Sequence, residues 1–289
     1  MAILINETTR ILVQGITGQV GSFQTRIKKN YGSRIVAGVT PGKGGSRIED
    51  VPVYNFVEEA VQEHPVDAAI CFVPARFAKD AALEVISRRI PFLVMTAEGI
   101  PERDMLMVLA YAASKGTTVL GPDTPGLISP GKCKLGVHPD AMFMEGGIGI
   151  VSKSGSLSYE VGRVLTERGL GQSTVIGIGG GPVWGLSQKD VLQGFEDDPE
   201  TKAIVLLGEV GGTLEHEAAD FIGRSMKKPV VALIVGRTAP KGAQMGHAGA
   251  IVEGEEGTAA SKIAALEKAG AFIAQSSLDV AKTILDLGV

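Results

Sequence analysis

Ile11-Leu12-Val13-Gln14-Gly15-Ile16-Thr17-Gly18-Gln19-Val20-Gly21 reads as a short apolar strand, a glycine-rich turn and the opening of a helix. The strand is apolar at successive positions, as in a strand covered on both faces. Gly15, Gly18 and Gly21 give a G-x-x-G-x-x-G spacing, in which backbone N–H groups and a helix N-terminus can hold phosphate. A simple tight turn has the same spacing, so its surroundings have to decide. The strand-then-helix rhythm continues along the chain. Further strands are expected at residues 34–39, 67–73, 92–96 and 117–120. After a glycine-rich break at 145–147, strands are expected at 148–152, 173–178, 203–208, 230–235 and 271–275. Helices fit residues 101–114, 154–168, 214–225 and 258–269. This alternation predicts an α/β protein whose parallel sheets carry helices on both faces. Two such sheets suit 289 residues, with a boundary near residues 140–147 and domains at 1–140 and 147–289.

Composition narrows the class. With 44% apolar and 21% charged residues and no low-complexity tract, the chain can bury a large core. No apolar run approaches the roughly 20 residues of a membrane span. The N-terminus lacks a basic segment followed by an apolar one, so no secretion signal is expected. Cys71 and Cys133 stand far apart, which suits a reducing compartment rather than a disulfide framework. The expected location is the cytoplasm, or the mitochondrial matrix in a eukaryote. A net charge of −4 argues against nonspecific nucleic-acid binding. No residue is read as a metal ligand.

Ligands of open parallel sheets bind at the carboxyl ends of the strands, so the loops after strands carry the information. After the second expected strand an NAD site would want an acidic residue for the ribose. Here Thr40-Pro41-Gly42-Lys43-Gly44-Gly45 offers a lysine instead. It suits a ribose phosphate or pyrophosphate, as in coenzyme A or NADP; a solvated lysine in a surface turn is the plainer reading. Gly42-Lys43 is not a P-loop, since no serine or threonine follows the lysine.

Of four histidines, His64 and His216 lie in polar helical surroundings and read as solvated, and His138 lies near the domain boundary with no assigned role. His247 is different. It sits among small residues in Gln244-Met245-Gly246-His247-Ala248-Gly249-Ala250, after a strand, where a nucleophile is sterically open. A histidine that hydrogen-bonds within a buried loop fits the same sequence. Two other strand ends converge on this edge. Ser154-Gly155-Ser156 can hold a phosphoryl group with its amides and hydroxyls, or be an ordinary helix cap. Glu209 can accept one ring N–H of His247 and leave the other nitrogen nucleophilic, or serve a helix cap itself.

Taken together these stretches resemble the α subunits of succinate–CoA ligases along essentially the whole chain. The matching stretches are QGITG at 14–18, VAGVTPGKGG at 36–45, EGIP at 98–101, SKSGSLSYE at 152–160, IGIGG at 176–180, LGEVGG at 207–212 and MGHAGAI at 245–251, with TAPKG ahead of the last. The resemblance implies a CoA-binding Rossmann-like domain followed by a flavodoxin-like, doubly wound domain. It implies an NDP-forming acid–CoA ligase active only with an ATP-grasp β subunit, as an αβ or α2β2 complex, which binds Mg-ATP or Mg-GTP. By position, His247 is the phosphorylated histidine and Glu209 its carboxylate partner. Thr17, Gly18, Gln19, Val20, Lys43, Thr96, Ala97 and Glu98 match coenzyme A contacts. Ser154, Gly155 and Ser156 match the phosphate loop, and Tyr159 a position that meets the small carboxylic acid substrate.

Two departures bear on that acid. Where the family reads G-P-N-C-P-G, this chain reads Gly121-Pro122-Asp123-Thr124-Pro125-Gly126, and a G-G-D-P becomes Gly180-Gly181-Pro182. Thr124 is similar to the G-P-A-T of ATP-citrate lyase and is read as a substrate residue. Citrate and malate therefore stand beside succinate as alternatives. A non-catalytic CoA-binding module and an NAD(P) dehydrogenase are the readings from other classes. The histidine, glutamate and serine set counts against the first, and the missing acidic residue against the second.

Overall fold

The structure, a computed structural model, describes residues 2–240, 242 and 244–289. Lys241 and Ala243, which precede the histidine stretch, lie outside the described residues. The first domain runs β1 (Arg10–Gln14), α1 (Gln19–Asn30), β2 (Arg34–Val39), β3 (Arg47–Ile48), β4 (Val51–Tyr54), α2 (Val57–Glu63), β5 (Ala68–Cys71), α3 (Ala75–Ser87), β6 (Phe92–Met95), α4 (Glu102–Lys115) and β7 (Thr118–Leu120). Its strand order is β3-β4-β2-β1-β5-β6-β7, parallel except for the β3/β4 hairpin at the edge. Successive crossovers leave β1 in one direction and β5 in the other. This opens a crevice at the carboxyl end of β1, where the glycine turn lies.

The second domain runs β8 (Gly126–Ser129), β9 (Cys133–Gly136), a short 3-10 turn (Asp140–Met142), β10 (Glu145–Ser152), α5 (Gly155–Thr166), β11 (Gln172–Gly177), α6 (Gln188–Asp197), β12 (Ala203–Glu209), α7 (Leu214–Ser225), β13 (Val230–Val235), α8 (Ala259–Lys268), β14 (Phe272–Ile273) and α9 (Ser277–Asp286). Its order is β14-β13-β12-β10-β11-β8-β9, with β8 antiparallel to β11 and to β9. The chain leaves β10 toward β11 and leaves β12 toward β13, so the second crevice lies between the carboxyl ends of β10 and β12.

The sheets therefore divide the chain earlier than the glycine-rich break. The change of sheet falls between Leu120 and Gly126, because the β8–β9 hairpin pairs with β11. Pro125, Pro130 and Gly131 around that hairpin gave it the look of a connecting loop in sequence.

Burial explains the strands. All seven residues of β12 are buried, as are all four of β5 and of β6. Alternate residues serve different layers: Ile11 and Val13 join one apolar cluster while Leu12 joins the cluster on the opposite face. The first of these clusters continues through Leu127 and Leu135 to Val151, Ile176 and Ile204 of the second sheet. Ser33 ties the two domains further, accepting the N–H of Lys134 at 2.9 Å and donating to its carbonyl at 3.1 Å.

Candidate active site

Glu209 closes β12, and the chain turns away through Gly211 and Gly212, both at positive φ. At Gly211 a Cβ would lie 2.2 Å from the carbonyl oxygen of Gly249, so the turn passes too close to the histidine loop for any side chain. His247 projects from the loop after β13 and meets this turn: its Nδ1 lies 2.8 Å from Glu209 Oε2. The Glu209 side chain is 9% exposed and that of His247 31%, so the pair is sheltered with one end open. The hydrogen bond to Glu209 raises the His247 pKa above its ordinary value; burial opposes the rise, and Asp123 and Glu98 add to it. With Nδ1–H donated to the carboxylate, the lone pair of Nε2 is the ring's nucleophile.

The ring is seated from below by Gly180. Its carbonyl accepts from Gly249 N at 3.0 Å, and the Asp123 carboxylate lies beside it. Asp123 is half-buried, and its own pKa is raised, first by burial and then by Glu98. Its backbone N–H donates to the carbonyl of Ala97 at 3.1 Å. The Thr96–Glu98 stretch of the first domain is thereby joined to the histidine seat in the second. Thr96 itself donates its hydroxyl to Cys71 O at 2.8 Å, and Glu98 is exposed.

Thr124 departs from the expected part. It is 4% exposed; its hydroxyl donates to Gly177 O and accepts from Gly126 N at 2.8 Å. Both bonds go to backbone, so the side chain shapes the turn and offers no free hydroxyl to a substrate. Tyr159 packs edge-on against His138 and Phe143, and burial raises its pKa. A Cβ on Gly155 would touch its hydroxyl at 3.4 Å, so the tyrosine borders the serine loop.

That loop follows β10, the neighbour of β12. Ser154 caps α5 by accepting from Leu157 N, and its hydroxyl lies 3.2 Å from that of Ser156. The first turn of α5 holds no acidic side chain, and Ser156 is exposed. One hydroxyl thus serves the cap while the second stays at the surface. Lys153, between the serines, turns inward to Glu215.

The first domain's glycine turn is equally constrained. Gly15 has φ +72°, and a Cβ on Gly21 would lie 2.1 Å from the carbonyl of Gly15. Gly18 caps α1 without a side chain, which leaves the first amides of the helix open beside exposed Gln19 and Val20. Thr17, Gly18, Pro41, Phe56, Phe72 and Phe77 help to line a cavity of about 750 Å³ at this crevice. The phenylalanines were not singled out in the sequence; Phe72 could have been, as the first residue beyond β5. Lys43 does not line the cavity. It is exposed, on a turn pinned by Asn55 Oδ1, which accepts from Gly42 N at 2.9 Å and Gly44 N at 3.0 Å.

The other histidines are partnered or enclosed. Instead of being solvated, His64 Nε2 lies 2.8 Å from Tyr54 Oη and His216 Nε2 lies 3.0 Å from Ser261 Oγ. His138 is fully buried with neither ring nitrogen hydrogen-bonded. Both cysteines are free and buried. Among the described residues no helix is long and apolar enough to cross a membrane.

Comparison with known proteins agrees with this arrangement. Residues 6–99 match the CoA binding domain family and residues 151–272 the CoA-ligase family. The chain is 58% identical over 271 residues to the α subunit of an ADP-forming succinate–CoA ligase from Methanothermobacter thermautotrophicus, covering 94% of this chain and 92% of that one. It is 53% identical over 284 residues to α subunit 1 of the Archaeoglobus fulgidus enzyme, covering 98% and 97%. Among solved structures, an ATP citrate lyase from Methanosaeta concilii in complex with (3S)-citryl-CoA superposes with a TM-score of 0.89 at 26% identity. That match covers 99% of this chain but 52% of the lyase, so the chain spans about half the lyase's length. With its CoA-binding and CoA-ligase domains in order and such identity over nearly its full length, the chain belongs to the family of succinate–CoA ligase α subunits, NDP-forming CoA ligases.

Proposed function

We propose that this chain, with an ATP-grasp β subunit, catalyses succinate + CoA + ATP ⇌ succinyl-CoA + ADP + phosphate by way of a phosphohistidine at His247. The 2.8 Å bond between Glu209 and His247 Nδ1 carries the reading, because it fixes the tautomer that frees Nε2 for attack. Nε2 takes the γ-phosphoryl group as the P–O bond to ADP breaks, and Glu209 balances the charge that develops on the ring. His247 then returns the phosphoryl to a carboxylate oxygen of the acid. The resulting acyl phosphate is attacked by the CoA thiolate, and inorganic phosphate leaves. Ser154, Gly155 and Ser156 hold the phosphoryl group between these steps with the open first turn of α5. Tyr159 borders the place of the acid.

Coenzyme A fits the first-domain crevice as a substrate. The aromatic and proline walls of the cavity suit a planar base, and the open amides of α1 suit a pyrophosphate. Lys43, exposed nearby in the chain, offers its charge to the 3′-phosphate from the rim. Ala97, through its link to Asp123, brings this domain to the histidine. The nucleotide and its Mg²⁺ belong to the β subunit. Succinate is preferred over citrate or malate because the relatives of highest identity quoted above are succinate enzymes and Thr124 has no hydroxyl to spare for a hydroxy acid.

The test is direct. The complex is co-purified and incubated with γ-labelled Mg-ATP. An acid-labile, base-stable label on the α chain is expected, absent in His247→Ala and discharged by succinate plus CoA but not by citrate plus CoA. A label that survives in His247→Ala refutes the assignment.

A further inference from the structure

Beneath the Glu209 turn lie three charged side chains that the reaction above does not use. Lys262 of α8, Glu215 of α7 and Lys153 have side chains 0%, 0% and 2% exposed. Glu215 Oε2 lies 2.5 Å from Lys262 Nζ, and Oε1 lies 3.0 Å from Lys153 Nζ. Enclosing charges this way is unfavourable for each ion even when paired, and apolar side chains would pack the same space as well or better. The bonds that the triad makes outward all run to a single turn. Lys262 Nζ donates to Glu209 O at 2.8 Å and to Gly211 O at 2.5 Å. Lys153 Nζ reaches Gly211 O at 3.4 Å, and Glu215 Oε1 accepts the backbone N–H of Glu209 at 3.3 Å.

The stoichiometry of these bonds is informative. An ammonium has three hydrogens, and Lys262 has three acceptors: Glu209 O, Gly211 O and Glu215 Oε2. No apolar residue could tie those two carbonyls together. Gly208 leaves the room: a Cβ there would stand 2.8 Å from Glu215 Cγ. The triad reaches the other side of the site as well. Lys153 Nζ lies 5.4 Å from the centre of the Trp184 ring, and Trp184 Nε1 donates to Gly179 O at 3.0 Å. Gly179 precedes Gly180, the seat of the His247 ring.

We infer that Lys153, Glu215 and Lys262 are positioning residues, a buried clamp that fixes the 209–211 turn so that the Glu209 carboxylate meets His247 Nδ1. Lys262 holds the turn, Glu215 anchors Lys262 and the amide of Glu209, and Lys153 takes the second carboxylate oxygen of Glu215 and braces Trp184. The inference rests on the reading of Glu209 and His247 given above.

The experiment uses the co-purified complex and reads the histidine itself. Carbethoxylation of His247 by diethyl pyrocarbonate, followed by peptide mass spectrometry across pH, gives the midpoint at which the ring becomes neutral. In wild type that midpoint lies above the ordinary value of about 6.5. Lys262→Met removes the donor at similar length. Its midpoint falls back toward the ordinary value as the Glu209 bond loosens, and kcat falls roughly ten-fold or more with KM values unchanged. An unchanged or raised midpoint overturns the clamp. Should Lys262→Met fail to assemble, the apolar triple variant Lys153→Met, Glu215→Leu, Lys262→Met is measured with the same two outcomes. Failure of both to assemble marks the triad as a folding element and likewise overturns the proposal. Glu209→Gln is run beside them. If it leaves the midpoint in place, the histidine–glutamate pairing has failed rather than the clamp; if wild type takes no phosphoryl label, the phosphoacceptor reading has failed while the carbethoxylation result still judges the clamp.

Discussion

Gly180 holds open the space that the His247 ring fills. A Cβ at position 180 would sit 2.4 Å from His247 Cγ and 2.6 Å from Cδ2, well inside van der Waals contact. The carbonyl of Gly180 is meanwhile held by Gly249 N at 3.0 Å, which resists a retreat of its backbone. Gly180→Ala is therefore expected to displace the ring from Glu209 while the fold survives. Misplacement of about 1 Å costs on the order of 10²-fold in rate. The check is the initial rate of phosphohistidine formation in the assembled complex; a rate within two- or three-fold of wild type, on the order of 0.5 kcal/mol, would show that the ring has room elsewhere.

On the proposed mechanism, Glu209 sets the pH dependence. Its hydrogen bond raises the pKa of His247, and only the neutral ring attacks phosphorus, so phosphorylation falls as pH drops through that raised value. Stability runs the other way. A raised histidine pKa contributes stability that is fully present below the unfolded value near 6.5 and is lost as pH rises through the folded value. Glu209→Gln should move the acid limb of the phosphorylation profile to lower pH and slow the step by roughly 10². An acid limb that stays where it was in the variant removes Glu209 from the mechanism.

His138 should mark the acid side of the stability curve. It is fully buried, and its pKa is pushed down to about 3, first by burial and then by Lys134 and Lys28. The unfolded chain therefore binds a proton that the folded chain refuses, and stability falls as pH drops below about 6.5 toward the folded value. The slope approaches roughly 1.4 kcal/mol per pH unit for one proton. His138→Leu removes this proton and two buried nitrogens that lack partners. Its unfolding midpoint is expected to match or exceed wild type at pH 7 and to fall less steeply between pH 6 and 4. Parallel curves for the two proteins would contradict the assignment.

Thr124→Val tests whether the turn after β7 selects the acid. Losing the hydroxyl leaves Gly177 O and Gly126 N without their partner inside the protein, at about 1–3 kcal/mol. The denaturation midpoint should drop, while the ratio of kcat/KM for succinate to that for citrate stays constant. A changed ratio would return Thr124 to the substrate.

Most of the architecture was legible because parallel strands buried on both faces leave uninterrupted apolar runs. The first five residues of β12 and all six of β13 stand out as such in the sequence. The β8–β9 hairpin and the β3–β4 edge did not, since four- and two-residue strands rich in glycine, lysine and proline look like loops. At the site, chemistry was easier to read than support. His247, in a loop after a strand, and Glu209, at a strand's end, stood out as candidates, and the structure brings them together. Gly180 and Phe72 did not, because what matters at each is the space beside it. Lys262 was hidden for another reason: on a helix, a lysine aimed inward is indistinguishable in sequence from one aimed at solvent. The backbone partners of Thr124 were likewise invisible in sequence, because a hydroxyl near a substrate loop looks available until its surroundings are known.

The apolar layer that runs from Ile11 and Val13 through Leu127 and Leu135 to Val151 and Ile204 gives the two sheets a common interior. Neither sheet can be stripped of its partner without baring that interior to water. Heating should accordingly melt both in one calorimetric endotherm, and a cavity cut at Leu135 should lower that single melting temperature for glycine turn and histidine loop alike.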